Sequence, residues 1–242
     1  MVSLPIIGGM REPLTIAVAQ PRCAAKDVRS NALEHAAVIR RVHARLVVFP
    51  ELSLTGYELD AEPVSVDDPA LAPIVEACAE TGTVALVGAP VAGPGGKNIA
   101  TLRLDAARAE VAYRKAYLGG DEPRWFAPGD GLVAIDVDGW RVGLGICKDT
   151  GVAEHVAGVA ALGVDLYVAG LVHLPDELAL QEERALRIAR ACDAYVGFAS
   201  FAGPTGGGFD DTAGVSSIWA ADGTPLARAS AEPGGAARAA LS

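Results

Sequence analysis

The sequence predicts an α/β fold, and three observations carry that prediction. Short apolar runs rich in β-forming residues recur at Leu14–Ala19, Arg45–Phe49 and Thr83–Gly88. Between them lie charged segments whose apolar residues return about every 3.6 positions, the period of an amphipathic helix. Two Asp-Gly pairs, Asp138-Gly139 and Asp222-Gly223, each separate β-rich runs, the pattern of a two-residue hairpin. Strand and helix therefore alternate, with antiparallel pairs added, and the residues alone point to one mixed sheet covered by helices.

Taken in order, Leu14–Ala19 reads as a buried strand. Ala24–Ala44 follows as a helix, with Val28, Ala32, Ala36, Ile39 and Val42 on one face. Pro50 stops the strand at Arg45–Phe49, and Asp67 or Asp68 can cap a helix running to Glu80. After the strand Thr83–Gly88, the runs Asn98–Leu104 and Glu110–Arg114 flank a turn at Asp105–Ala109, and Val133–Val137 and Trp140–Ile146 flank the first Asp-Gly. Alternation returns with a helix at Val152–Leu162, a strand at Asp165–Val172, a helix at Glu177–Cys192 and a strand at Ala194–Phe201. Gly214–Ala220 and Pro225–Ala229 form the last hairpin. No linker or repeat divides the chain, so residues 1–242 are read as one domain, with 1–12 a flexible leader in which Met10 offers an alternative start.

Composition excludes several function classes. Thirty acids against 20 Lys and Arg give a net charge of −10, which repels phosphate backbones, so nucleic acid is not expected as a partner. Hydrophobic residues make up 51%, but 46 residues are alanine, and the longest stretches without a charged residue or His, Thr81–Gly96 and Ala194–Phe209, are 16 residues long and broken by Gly and Pro. No membrane span is expected. The four cysteines are isolated, without zinc-ligand spacing, so no metal is expected. The N-terminus lacks the basic flank and apolar length of a secretory signal, so a cytoplasmic location with reduced thiols is expected.

Three reactive side chains stand at predicted strand ends: Glu51 after Arg45–Phe49, Lys115 after Glu110–Arg114, and Cys147 after Trp140–Ile146. In α/β sheets the carboxyl edge is where sites are built. A thiolate is a strong nucleophile, an ammonium lowers a thiol pKa and can hold an oxyanion, and a carboxylate can take the thiol proton and return it to a leaving amine. Backbone amides following Cys147, beginning with that of Lys148, can complete an oxyanion hole.

The blocks Val-Val-Phe-Pro-Glu51-Leu-Ser-Leu-Thr-Gly-Tyr57, Tyr113-Arg-Lys115-Ala-Tyr-Leu and Gly143-Leu-Gly-Ile-Cys147-Lys-Asp resemble, in order, the three signature blocks of the nitrilase (carbon-nitrogen hydrolase) superfamily. Glu122-Pro-Arg-Trp-Phe-Ala-Pro-Gly129 resembles the segment that carries that family's second active-site glutamate, and the likeness runs from Leu14 to Ala229. The resemblance implies a four-layer α-β-β-α sandwich that associates face to face as a homodimer or higher oligomer, and cofactor-free hydrolysis of a non-peptide C–N bond in a small amide. It assigns Cys147 as nucleophile, Glu51 as general base and acid, Lys115 and the Lys148 amide as oxyanion donors, and Glu122 as a positioning group. Tyr57, Trp125, Lys148 and His173 are the candidate substrate contacts, with Phe126 beside Trp125 as a further wall. Lys115 and Lys148 together are expected to make the site locally cationic.

Departures narrow the expectation. Cys147-Lys148-Asp149 is not the Cys-Trp-Glu of nitrilases proper, and Val152-Ala-Glu154 replaces the usual Phe-Pro-Glu, so an amide is preferred to a nitrile. N-carbamoyl hydrolysis is the runner-up. A non-catalytic binding protein of the same fold, or a thiol redox sensor, are the readings from other classes. Cys23, Cys78 and Cys192 are read as packing residues, and His35, His43 and His155 as ordinary surface or interface residues. The Gly93–Lys97 segment lacks the first Gly and the Ser or Thr of a P-loop.

Overall fold

The computed structural model describes residues 11–242, so residues 1–10 of the expected leader, Met10 included, lie outside the described residues. The leader's last two residues are held. The Arg11 guanidinium lies 3.5 Å over the Trp140 ring and 2.6 Å from the Asp165 carboxylate, and the Glu12 carbonyl accepts the Trp140 indole N–H.

The chain runs β1 (Leu14–Gln20), α1 (Val28–Val42), β2 (Leu46–Val48), α2 (Ala72–Thr81), β3 (Val84–Gly93), β4 (Gly96–Leu104), β5 (Ala109–Arg114), β6 (Ala134–Val137), β7 (Trp140–Ile146), α3 (Ala153–Ala161), β8 (Leu166–Leu171), α4 (Leu178–Cys192), β9 (Tyr195–Ser200), β10 (Ser217–Trp219), β11 (Pro225–Arg228) and β12 (Gly235–Leu241). Local chemistry sets several boundaries. The Asp27 carboxylate caps α1 by accepting the Ser30 amide, and His43 ends that helix in the left-handed region at φ 47°. Asp138 and Gly139, at φ 54° and 80°, make the tight turn between β6 and β7, as an Asp-Gly hairpin requires.

The strands form two sheets, where the residues alone suggested one. The first has the order β12-β1-β2-β3-β4-β5 and the second β11-β10-β9-β8-β7-β6. Each has a parallel centre, β1-β2-β3 or β7-β8-β9, and antiparallel flanks. The chain leaves one sheet after Arg114 and starts the other at Ala134.

Alternation along the strands decides the layering. In β1, Ile16 and Val18 join a core shared with Val142, Leu144 and Ile146 of β7 and Leu166 and Val168 of β8, between the sheets. Ala17 and Ala19 face the other way, onto Ala32, Ala36 and Ile39 of α1. Tyr167, Ala169 and Phe198 likewise meet Val156 and Val159 of α3 and Ala185 and Ile188 of α4. The result is an α-β-β-α sandwich. Alanine on both sides of the helix-sheet contacts permits close approach, which explains why so apolar a composition needs no membrane. Among the described residues no helix is long and apolar enough to cross one.

Two expectations are corrected. His35 and His155 are buried at 0% and 1% exposure, not at the surface. His35 stacks on Phe49 and bonds the Asn31 carbonyl and the Ser53 hydroxyl, while His155 bonds Tyr113 and Tyr167. Helical spacing put both on the inner face, where a neutral imidazole is tolerated because its nitrogens are partnered. β12 also joins the fold unannounced, pairing antiparallel along the whole of β1.

Candidate active site

The central parallel strands deliver the site. Glu51 follows β2, Cys147 directly follows β7 and His173 lies just past β8, all at carboxyl ends, with Lys115 just past β5. The turn carrying Glu51 fits only because two strands lack side chains there. A Cβ on Gly88 of β3 would stand 2.3 Å from the Pro50 carbonyl oxygen, and one on Gly170 of β8 would stand 2.7 Å from the Glu51 amide nitrogen. Glycine inside a strand is the sequence signal for such an approach.

Lys115 is the hub. Its Nζ donates to Glu51 Oε1 at 2.6 Å and to both Glu122 oxygens at 2.7 and 2.8 Å. The three residues are 1–2% exposed. Glu122 accepts further bonds from the Tyr57 hydroxyl at 2.9 Å and the Gly119 amide at 2.7 Å. Glu51 Oε2 is buried with no hydrogen-bond partner among the described residues. Burial pushes the Glu51 carboxyl well above its usual range, against the pull of Lys115. Burial alone would lower the Lys115 ammonium, but Glu51, Cys147 and Glu122 more than offset it and the net direction is upward. The positive charge expected at Lys115 is therefore opposed by two carboxyl groups bonded to it.

Cys147 is partly exposed and takes φ 37°, a strained left-handed conformation for a non-glycine residue. It opens a single 3-10 turn, Cys147–Gly151, ahead of α3, and its Sγ donates to the Val172 carbonyl at 3.5 Å. Asp149 anchors this turn. Its carboxylate accepts the Ile146 amide and the Tyr113 hydroxyl, each at 2.9 Å, and the Tyr117 amide at 2.9 Å. Asp149 thereby ties the residue before Cys147 to residues on either side of Lys115. Burial outweighs those bonds and raises its pKa to about 6.

A cavity of about 420 Å³ opens onto Cys147, Lys115, Glu122, Tyr57, Lys148 and His173. The structure thus brings six of the candidates to one cavity, with Glu51 behind Lys115. Trp125 is left out. The turn Glu122–Arg124 directs Glu122 inward and Phe126 into the inter-sheet core, while Trp125 stands 48% exposed, with Lys97 Nζ 5.7 Å from its ring centre. Arg184 and Glu177 also line the cavity and were not anticipated. Among the described residues no group of three or more His, Cys, Asp or Glu could hold a metal ion. Burial raises the pKa of Cys78 to about 12 and of Cys192 to about 11, and pushes that of Cys23 up as well.

Comparisons with known proteins bear on the family and the fold. The sequence model of carbon-nitrogen hydrolases matches residues 15–242. The chain is 29% identical over 203 residues to the "hydrolase in pqqF 5'region" of Pseudomonas protegens, covering 78% of this chain and 70% of that protein. It is 36% identical over 170 residues to a glutamine-dependent NAD(+) synthetase of Xanthomonas campestris, covering 63% of this chain but only 30% of that longer protein. Among solved structures, an amidase of Nesterenkonia AN1 from the nitrilase superfamily superposes with a TM-score of 0.81 at 23% identity, over 95% of this chain and 92% of that one.

Proposed function

Because the chain belongs to the carbon-nitrogen hydrolase family, we propose that it cleaves the C–N bond of a small amide through an acyl-enzyme on Cys147. The observation that carries the reading is the buried Lys115 ammonium held between Glu51 and Glu122 on the wall of the cavity that Cys147 enters. Glu51 Oε2, free of other partners, takes the thiol proton. The thiolate attacks the amide carbonyl carbon, and the carbonyl π pair moves onto oxygen. Lys115 and the Lys148 amide hold that oxyanion. Glu51 returns the proton to nitrogen as the C–N bond breaks and ammonia or an amine leaves. Glu51 then deprotonates water, which attacks the thioester, and the carboxylic acid departs with the thiol restored. Glu122, bonded to Lys115 through both oxygens, holds the ammonium in place.

A variant of the similar Nesterenkonia amidase carries acrylamide added at its active-site cysteine, which supports the same assignment for Cys147. The test is ammonia release from a panel of amides, carbamoyl compounds and nitriles, with intact mass followed for an acyl adduct. Turnover is expected for amides and is expected to vanish in Cys147→Ala. Unchanged turnover in that variant removes the assigned nucleophile.

A further inference from the structure

Behind the nucleophile lies a chain of buried side chains that the proposed chemistry does not use. Tyr113 of β5, Asp149 of the turn after β7, His155 of α3 and Tyr167 of β8 are each at most 2% exposed. The Tyr113 hydroxyl stands 2.9 Å from Asp149 Oδ2, 3.0 Å from His155 Nε2 and 3.3 Å from the Ala116 amide, and the Tyr167 hydroxyl stands 3.5 Å from His155 Nδ1. A slot is built for the Tyr167 and His155 pair. A Cβ on Gly145 of β7, two residues before Cys147, would overlap the Tyr167 hydroxyl and stand 3.3 Å from His155 Cε1. None of the four residues lines the cavity that Cys147 enters.

Proton counting sets the direction of this chain. A phenol has one proton to donate and two lone pairs to accept with. Asp149, when ionised, can only accept, so the Tyr113 proton points to it, while the Tyr113 lone pairs face the Ala116 N–H and His155 Nε2. Nε2 must therefore carry hydrogen. Burial lowers the His155 pKa to about 4 and keeps the ring neutral, so Nδ1 is bare and accepts from Tyr167. The opposite tautomer would set the Nε2 lone pair against the Tyr113 oxygen and draw the phenol proton away from Asp149. On its outer side the turn rests on α4, where Arg187 Nη2 donates to the Thr150 carbonyl at 2.9 Å and a Cβ on Gly151 would stand 3.0 Å from the central guanidinium carbon of Arg184. On its inner side it rests on Asp149. Tyr113 lies two residues before Lys115 in one sheet, and Asp149 lies two residues after Cys147 at the end of the other, so one hydroxyl bridges the sheets between ammonium and thiol.

Resting on the reading of Cys147 as nucleophile, we propose that His155, held as its Nε2–H tautomer, is a positioning residue: it directs the Tyr113 hydroxyl onto Asp149, and so fixes the turn Cys147–Gly151 and the place of the thiol relative to Lys115 and Glu51.

The test is the rate at which iodoacetamide alkylates Cys147, followed by peptide mass. It needs no turnover, and it reads the thiolate that a well-placed Glu51 and Lys115 favour. Tyr113→Phe, which takes a donor from Asp149, is expected to slow labelling about 10-fold. His155→Leu, which takes the proton offered to Tyr113, is expected to slow it roughly 3- to 10-fold, and His155→Gln, whose amide N–H can meet the same hydroxyl, to bring it back within about twofold of wild type. The double variant Tyr113→Phe with His155→Leu should label no more slowly than Tyr113→Phe alone, because His155 acts on the turn only through that hydroxyl. A packing role alone makes the two losses add and ranks Gln with Leu. Either result overturns the proposal, as does wild-type labelling in His155→Leu. If His155→Leu does not fold, His155→Asn, too short to reach Tyr113, takes its place in the same comparisons. With an amide that turns over, kcat is expected to fall in step with labelling while KM holds, since these side chains lie outside the cavity; a raised KM at unchanged kcat overturns the proposal. If labelling follows the expected pattern but no amide, carbamoyl compound or nitrile turns over, the hydrolase reading falls and the positioning of Cys147 stands. Turnover with unaltered labelling in every variant leaves the hydrolase reading standing and removes the role of His155.

Discussion

Replacing Lys115 by methionine probes the electrostatic centre of this site, because methionine keeps most of the apolar stem and removes the ammonium with its charge and N–H donors. Glu122 would keep two donors, the Tyr57 hydroxyl and the Gly119 amide. Glu51 would keep none, since Oε1 bonds only Lys115 and Oε2 has no partner. Removing one member of a buried pair costs about 3–5 kcal/mol. For a chain of this size that is a fall in Tm of roughly 6–20 °C. The loss should depend on pH. Without the ammonium, the Glu51 pKa rises further above its unfolded value, so the folded state binds the extra proton more readily and the penalty shrinks as pH falls. Urea unfolding followed by tryptophan fluorescence at pH 8 and pH 5.5 measures this directly. Lys115→Met combined with Glu51→Gln should cost less than the sum of the two single changes, because the amide leaves no unpaired charge. A loss below about 1 kcal/mol, the same loss at both pH values, or additive effects would refute a buried, mutually dependent ion cluster.

Three further outcomes follow from named contacts. Asp149→Asn swaps one carboxylate oxygen for an N–H donor among three donors, so it should slow iodoacetamide labelling of Cys147 and turnover by about 10- to 100-fold with the cavity intact; unchanged labelling kinetics would show that Asp149 does not position the turn. His35 and His155 are held at a pKa of about 4, below the 6.5 of a free imidazole. The unfolded state therefore takes up protons first, and stability present above pH 6.5 should decline toward pH 4, by on the order of 3 kcal/mol for each histidine; a His35→Gln variant that retains the full acid slope would contradict this. Ending the chain after Gly234 removes β12, uncovers the free edge of β1 and leaves the core without Ala237 and Leu241. Light scattering and thermal melts should show a less stable, self-associating protein, and a monomer with an unaltered Tm would argue that β12 is dispensable.

Legibility in the sequence tracked how local the cause was. The Asp-Gly turn at residues 138–139 was visible because positive φ at two successive positions is a property of those residues. The strands flanking Glu51 and Cys147 were visible because their apolar runs are continuous. β12 was not, because Gly-Ala-Ala-Arg-Ala-Ala-Leu has little intrinsic β preference and becomes a strand by meeting the unpaired edge of β1. The burial of His155 was hidden for a similar reason, since Tyr113 and Tyr167, which satisfy its ring nitrogens, come from strands in different sheets.

By itself the sequence determined the α/β class, the residue types of a thiol chemistry and their places at strand ends, all of which depend on periodicity and short motifs. Only the tertiary structure decided which charges meet. It put one ammonium against two carboxyl groups from different parts of the chain, and it turned Trp125 to the surface. It also carried Arg184, 37 positions from Cys147 in the chain, onto the turn that Cys147 begins. Electrostatic interactions depend on separation in space and on burial, and neither quantity exists until the two sheets have packed.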